Sequence, residues 1–224
     1  MTLTLRRLAA SLSLVLLAGC QAVAPPASST REVPATLGPA TTTQPALALI
    51  PTLTVKGRGP RTGYSRAEFG PAWADVDRNG CDTRNDILNR DLTDKTYRTG
   101  THDCVVLSGQ LNEPYTGRVV TFAKAQASLV QIDHVVALSD AWQKGAAQWT
   151  ADKRLHFAND PLNLLAVDGV QNQTKGDSDA ASWLPPNKAF RCAYVSRQVA
   201  IKHTYGVNVT AAERDAMVRV LSHC

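Results

Sequence analysis

A carboxylate and an imidazole stand side by side inside an apolar run, Gln131-Ile132-Asp133-His134-Val135-Val136-Ala137-Leu138. Burying such a pair is costly unless each group is hydrogen-bonded, paired or bound to a cation. Any fold built around it must supply those partners. Residues 129–136 are rich in β-branched side chains and read as a strand. A second apolar run, Leu162 to Val167, reads as another. Residues 168–176 follow at helical spacing and carry Asn172 and Lys175. Two strands, then a helix that offers an amide back to the Asp-His pair, can enclose a small metal site with a general base beside it.

That residue set suits phosphodiester hydrolysis, which needs an activated water, neutralised charge at the phosphate and help for the departing oxygen. His134 is the candidate general base, because an ordinary imidazole titrates near neutrality. Asp133 and Asn172 are hard oxygen donors that suit Mg²⁺ or Mn²⁺, with water filling the remaining positions. Such a cation would stabilise the transition state and the departing 3′ oxygen. Lys175, one helical turn from Asn172, either holds a phosphate oxygen or is a solvated helix lysine. A lone histidine reads as structural; the adjacent Asp and the two Asn offsets set His134 apart from His102, His156, His203 and His223. No Gly-x-Ser-x-Gly elbow supports a Ser-His-Asp hydrolase.

Asp133-His134, Asn163 and Asn172 together resemble the HNH nucleases, the His-Me finger or ββα-metal superfamily. The step from Asn163 to Asn172, with Lys175 three further on, is similar to the HNH domains of CRISPR effector nucleases. From about Leu53 to Cys224 the chain resembles the secreted bacterial HNH endonuclease family proteins. The residues that carry this are Thr62-Gly63-Tyr64-Ser65-Arg66, Asn79-Gly80-Cys81-Asp82-Thr83-Arg84-Asn85-Asp86 and Pro114-Tyr115-Thr116-Gly117, with Lys175-Gly176-Asp177 ahead of Trp183-Leu184-Pro185. The resemblance implies a one-metal endonuclease that leaves 5′-phosphates, with Asn163 positioning the finger and its base. Asn172 stands where the motif's name has His, a known variant of that position.

The chain opens as a targeting segment. Arg6 and Arg7 form a basic start, and Leu8 to Leu17 is an apolar stretch too short to span a bilayer. Leu17-Ala18-Gly19-Cys20 reads as a lipobox, so residues 1–20 are expected to be a lipoprotein signal peptide and Cys20 to carry a lipid anchor to a membrane. An ordinary signal peptide cut nearby would leave Cys20 incidental. Residues 21–52, mostly Pro, Ala, Ser and Thr, are expected to be a tether, leaving 53–224 as the nuclease domain. Without the signal segment, 22 Lys+Arg face 19 Asp+Glu, a net of +3. That balance permits a phosphate-bearing substrate without demanding one, and the absence of a long basic run argues against tight sequence-specific binding.

Four further cysteines, Cys81, Cys104, Cys192 and Cys224, agree with export and disulfides. No Cys-x-x-Cys pair suggests zinc. Asn187 is placed to cap a helix from Lys188 to about Tyr205, stopped by Gly206. Thr210 with Glu213 reads as a capping box for a second helix to about Ser222. Two helices joined by a short loop run antiparallel, which brings Cys192 to Cys224; Cys81 then pairs with Cys104 by elimination.

Other stretches leave two readings open. Asp75, Asp77, Asn79 and Asp86 are spaced like a calcium loop, or form an Asx-rich turn before a helix capped by Thr83. Arg84 either reaches the scissile phosphate as a catalytic clamp or pairs with Asp82 or Asp86. Residues 55–118 otherwise show few long periodic elements. Val119 to Ala123 is expected to form a hairpin with the strand at Leu129. Ser139 is expected to cap a helix to about Trp149 and Asp152 another to Phe157, with Trp142 and Trp149 as core of this insertion. Asp177 and Asp179 either support the metal ligands or cap the helix in solvent.

The expectation is an α+β domain: a ββα-metal finger with surrounding helices, a C-terminal helical hairpin and two disulfides. It would be a monomer that cleaves DNA outside the cytoplasm with little sequence preference, with RNA as a second substrate class. A surface lipoprotein that binds calcium or cell-wall material without catalysis is the alternative. A toxin nuclease with an immunity partner would share the same chemistry.

Overall fold

The computed structural model describes residues 43–224. In chain order the elements are α1 (Thr43–Leu49), α2 (Thr83–Asp91), β1 (Leu92–Tyr97), β2 (Val106–Asn112), β3 (Val119–Ala123), β4 (Val130–His134), α3 (Leu138–Gln143), α4 (Ala151–Asn159), β5 (Leu164–Asp168), α5 (Gly169–Lys175), α6 (Arg191–Tyr205) and α7 (Ala211–Leu221). This is a mixed α+β arrangement with two antiparallel sheets, β1-β2-β3 and β4-β5.

The β4-β5 ribbon is the centre. Asp133 lies opposite Leu165 and His134 opposite Leu164. Side chains alternate along a strand, so the two halves of the Asp-His pair start towards different faces. Leu165 and Val167 pack into a core with Tyr115, Tyr194, Val199 and Met217. Leu164 and Ala166 pack into another with Leu88, Leu111 and Phe122. Both faces are therefore covered, which explains the near-continuous apolar run of this strand. After β5, Asp168 accepts from Gln171 N at 2.9 Å and opens α5, which Gly176 closes at φ +55°. The two strands and the helix lie within a residue or two of where the sequence put them.

The expected pairing of 119–123 with the strand at 129 is corrected. β3 pairs with β2 (Asn112 opposite Val119, Ser108 opposite Ala123), and β4 pairs only with β5. The cause is the turn between β2 and β3. The buried Glu113 carboxylate accepts from Tyr115 N, Thr116 N and Thr116 Oγ1, and Gly117 takes φ +76°. The helix α2 and strands β1 and β2, within a stretch where few elements were expected, supply half of the buried residues of one core.

Several caps and boundaries also differ. Residues 43–52, assigned to the tether, belong to the folded unit: Ala46, Ile50 and Leu53 are buried against Tyr194, Val195 and Leu221. Asp82, not Thr83, caps α2 by accepting from Asn85 N at 2.9 Å. Ser139 lies inside α3 with its hydroxyl on Asp177 Oδ2, and α3 ends at Gln143 before a separate 3-10 turn. Thr150, not Asp152, caps α4. Trp142 and Trp149 do pack around Phe157, as core residues. The signal segment, Cys20 and the tether up to residue 42 lie outside the described residues.

The C-terminal pair forms as read. Asn187 accepts from Ala189 N and opens a 3-10 turn, Lys188–Phe190, that runs into α6. Gly206 ends α6 at φ +68°. Thr210 caps α7, but Glu213 completes only half of a capping box. Its carboxylate is buried with Lys144 (2.7 Å) and Lys202 (2.9 Å). Asp140, Asp179 and Arg58 complete this cluster of three cations and three carboxylates. It joins the segment before α2 to α3, α6, α7 and the loop after α5. Disulfides Cys81–Cys104 and Cys192–Cys224 are both present, with Cα atoms 5.3 and 5.9 Å apart. They fit an exported protein in an oxidising compartment. No described helix is long and apolar enough to cross a membrane.

Candidate active site

Asp133 is buried at the end of β4, and both its oxygens are engaged. Lys175 Nζ, from the last turn of α5, donates to Oδ1 at 2.8 Å. The Tyr115 hydroxyl, from the β2–β3 turn, donates to Oδ2 at 2.5 Å. Burial pushes the Asp133 carboxyl above its ordinary value, and the Lys175 charge and hydrogen bond oppose this. Burial and then the facing carboxylate push the Tyr115 hydroxyl well up, so it remains a donor. Lys175 Nζ also donates to His134 O at 2.8 Å. Lys175, read as either a phosphate contact or a solvated helix lysine, is instead buried and fastens α5 to the Asp-His pair.

His134 Nε2 lies 2.8 Å from Ala158 O. A carbonyl only accepts, so Nε2 carries the proton and Nδ1 keeps its lone pair in the neutral ring. Burial depresses the imidazole to about 3, Ala158 O opposes that, and the charges of Arg66 and Lys175 add to it. The ring is therefore neutral at physiological pH, and burial makes it a weaker proton acceptor than an ordinary imidazole. The Trp73 indole lies 17° from parallel to it, with centroids 6.1 Å apart.

Asn163 is fully buried and grips the chain just past β4. Its carbonyl accepts from Val135 N at 2.8 Å, its Oδ1 accepts from Val136 N at 2.9 Å, and its Nδ2 donates to Val136 O and Phe157 O. It does not line the cavity that Asp133, His134 and Asn172 share, and its bonds hold the backbone just beyond His134. The Asn172 amide nitrogen donates to Gln131 Oε1 at 2.8 Å, which leaves the amide oxygen as its ligand end.

Asp133, His134 and Asn172 line one cavity of about 420 Å³. Arg61, Tyr64 and Arg66, from the segment ahead of α2, line the same cavity. These three stand within or beside the Thr62–Arg66 motif, but the sequence assigned them no role. The signal was available as two arginines flanking a tyrosine in that motif. Arg84 is elsewhere: it lines a neighbouring pocket with Asp82 and Phe122, and its guanidinium lies 3.4 Å from Val130 O. Burial lowers its pKa and the Asp82 charge opposes that. Asp177 lines the cavity and accepts from Ser139; Asp179 is buried in the ion cluster with Lys144.

Two hard oxygen donors border this cavity, the Asp133 carboxylate and the Asn172 amide oxygen. A carboxylate offers about four lone-pair positions, of which Tyr115 and Lys175 take two. Asp133 and Asn172 would hold a cation from two sides, and Mg²⁺ characteristically keeps several waters when protein ligands are few. Among the described residues no three His, Cys, Asp or Glu side chains group as a complete cage. In the other candidate loop, Asp75 accepts from Asn79 N and Gly80 N, Asp77 from Asn79, and Asp86 from Asn79 Nδ2. These four side chains hold the turn and one another.

Residues 82–220 match the family model for "GmrSD restriction endonucleases, C-terminal domain". A protein of the fungus Arthroderma benhamiae, called an uncharacterized secreted protein, is 41% identical over 181 residues, covering 80% of this chain and 84% of that one. No solved structure matches. A fungal relative widens the bacterial grouping expected from the motifs. The family span includes β4, β5 and α5, while Arg61, Tyr64, Arg66 and Trp73 precede it. The chain belongs to the family of GmrSD restriction endonuclease C-terminal domains.

Proposed function

We propose that the protein is an exported, metal-dependent endonuclease of the ββα-metal type that hydrolyses phosphodiester bonds of DNA, and of RNA by the same chemistry, with little sequence preference. The observation that carries this reading is the shared cavity of Asp133, His134 and Asn172, walled by Arg61 and Arg66. His134 takes the proton from the attacking water through Nδ1, because Nε2 is held by Ala158 O. Asp133 and Asn172 hold Mg²⁺ or Mn²⁺, which supplies charge neutralisation at the phosphate and at the departing oxygen. Lys175 and Tyr115 fix the rotamer of Asp133, and Asn163 fixes the backbone beyond His134. Arg61 and Arg66 meet the phosphate backbone. The protein acts as a monomer, and Cys20 anchors it by lipid to a membrane.

A plasmid-nicking assay tests the reading. Wild type is expected to nick with Mg²⁺ and to stop on addition of EDTA. His134→Ala is expected to lose about 10²–10⁴-fold, the usual worth of a positioned general base. Equal nicking by both proteins, or nicking that ignores EDTA, would sink the assignment.

A further inference from the structure

A cavity of about 610 Å³ lies where α1, the end of α2, β5 and α6 meet. It shares no lining residue with the cavity of Asp133, His134 and Asn172. Small-molecule sites span about 300–1,000 Å³, so it is large enough to enclose one. Much of its wall is apolar, with Ala46, Leu49, Leu111, Leu162, Leu165 and one aromatic ring, Phe190. Its charged lining residues are Arg90, Asp91 and Arg197. We propose that this cavity binds an amphipathic monocarboxylate, its carboxylate on Arg197 and its aliphatic chain along the apolar wall. The proposal does not depend on the nuclease reading.

The pairing of these charges carries it. Asp91 is fully engaged by Arg90, whose Nε donates to Oδ1 at 2.6 Å and Nη2 to Oδ2 at 2.9 Å, while Ala166 N donates to Oδ2 at 2.9 Å. Arg197 is left over. It forms no ion pair among the described residues, and its guanidinium makes one long hydrogen bond, Nη1 to Leu164 O at 3.4 Å. Arg90 Nη2 already takes that carbonyl at 2.7 Å, so two like charges converge on one acceptor. A guanidinium stays charged and carries five N–H donors. Withdrawing it from water without an anion is costly. Burial lowers the Arg197 pKa, the Arg90 charge adds to this, and the Asp91 charge opposes it. Arg197 is only partly covered and lines the cavity, so an occupant can reach it.

The charge balance selects the head group. Two guanidiniums against one carboxylate leave the lining with a net charge of +1. A monoanion closes that balance, and a carboxylate matches the guanidinium fork with two parallel hydrogen bonds. A phosphate monoester carries nearly two negative charges and would leave an excess beside Asp91. The apolar wall favours an aliphatic body because burying it there removes it from water.

Isothermal titration of the full chain with sodium decanoate, below its micellar concentration, tests the proposal. Decanoate is expected to bind saturably. Decanol, which lacks the charge, should bind about tenfold or more weakly than decanoate, as loss of a charge-assisted contact implies. Acetate, which lacks the chain, should also bind about tenfold or more weakly. Decyl phosphate should bind less tightly than decanoate. Arg197→Met, which keeps an apolar stem, should lose about tenfold or more for decanoate while its affinity for decanol holds. An unfolded variant would lose both ligands, and the wild-type series stands without any variant. Decanoate that fails to bind, binds no tighter than decanol, or binds Arg197→Met as it binds wild type would overturn the site. Occupation of the cavity by the chain ahead of Thr43 would also overturn it, since the full chain would then take up no decanoate. Tighter binding of decyl phosphate would overturn the choice of head group. Cleavage is not part of the readout, so either result leaves the nuclease reading where it stands.

Discussion

At the scale of single residues, the site is governed by which charges have partners. Lys175 is buried and gives its ammonium to Asp133 and His134 O. Removing one member of a buried pair leaves the other uncompensated, at a cost of about 3–5 kcal/mol. Lys175→Met is expected to lose about that much in denaturant unfolding, whereas a solvated lysine would cost almost nothing. The arginines divide the other way. Arg66 and Arg61 border the cavity of Asp133, while Arg84 borders another. Arg66→Ala should therefore slow cleavage by about tenfold or more, consistent with loss of a charge-assisted phosphate contact of about 1.5–3 kcal/mol. Arg84→Ala should slow it less, and a larger effect at Arg84 in steady-state kinetics would contradict this placement. Asp133, His134 and Asn172 line one cavity because β4 pairs with β5 and α5 follows β5 directly. The sequence left Lys175 and Arg84 with two readings each, since the partner of a charged side chain is chosen by segments far along the chain.

At the scale of elements, the ββα unit is legible because its signals are short-range: β-branched runs, an Asp cap and a glycine stop. The α5 entry adds a backbone condition that periodicity does not reveal. A Cβ on Gly169 would lie 2.1 Å from the Ser128 carbonyl oxygen, and Gly169 N donates to Leu129 O. Neither backbone can yield without moving α5, which carries Asn172 and Lys175. Gly169→Ala is expected to destabilise the protein by about 1–3 kcal/mol, measured by thermal or chemical melting, and to reduce cleavage as well. A neutral result would mean that α5 can shift freely on the ribbon. The sheet β1-β2-β3 was missed for the converse reason. Leu92–Tyr97 is mostly exposed, with only Leu92 buried, so it shows no clean alternation, and its position depends on β2 and on α2.

Across the whole molecule, the buried cluster of Arg58, Lys144, Lys202, Asp140, Asp179 and Glu213 joins parts of the chain up to 155 positions apart in sequence. Burial alone would raise the Asp140 carboxyl, but the charges of Lys202, Lys144 and Arg58 outweigh it and hold the group at about 2. An unfolded aspartate titrates near ~3.9. The folded value is the lower one, so this carboxylate contributes stability above about pH 4 that is lost as pH falls through about 2. The contribution is about 2 kcal/mol. Unfolding free energy measured between pH 5 and pH 2 should therefore fall more steeply in wild type than in Asp140→Asn, which lacks the titrating group. Parallel curves would mean that the cluster does not act through Asp140.

The sequence by itself determined the ribbon and its helix, the C-terminal helical pair and both disulfides, because each is written in caps, periodicity or cysteine number along a few tens of residues. Tertiary structure alone decided that β3 joins β2, that residues 43–52 belong to the folded unit, that Lys175 neutralises Asp133, and that Arg61, Arg66 and Trp73 surround His134 in place of Arg84. Those outcomes depend on which distant segments come to lie against one another, and burial and charge pairing select them only once the chain has closed.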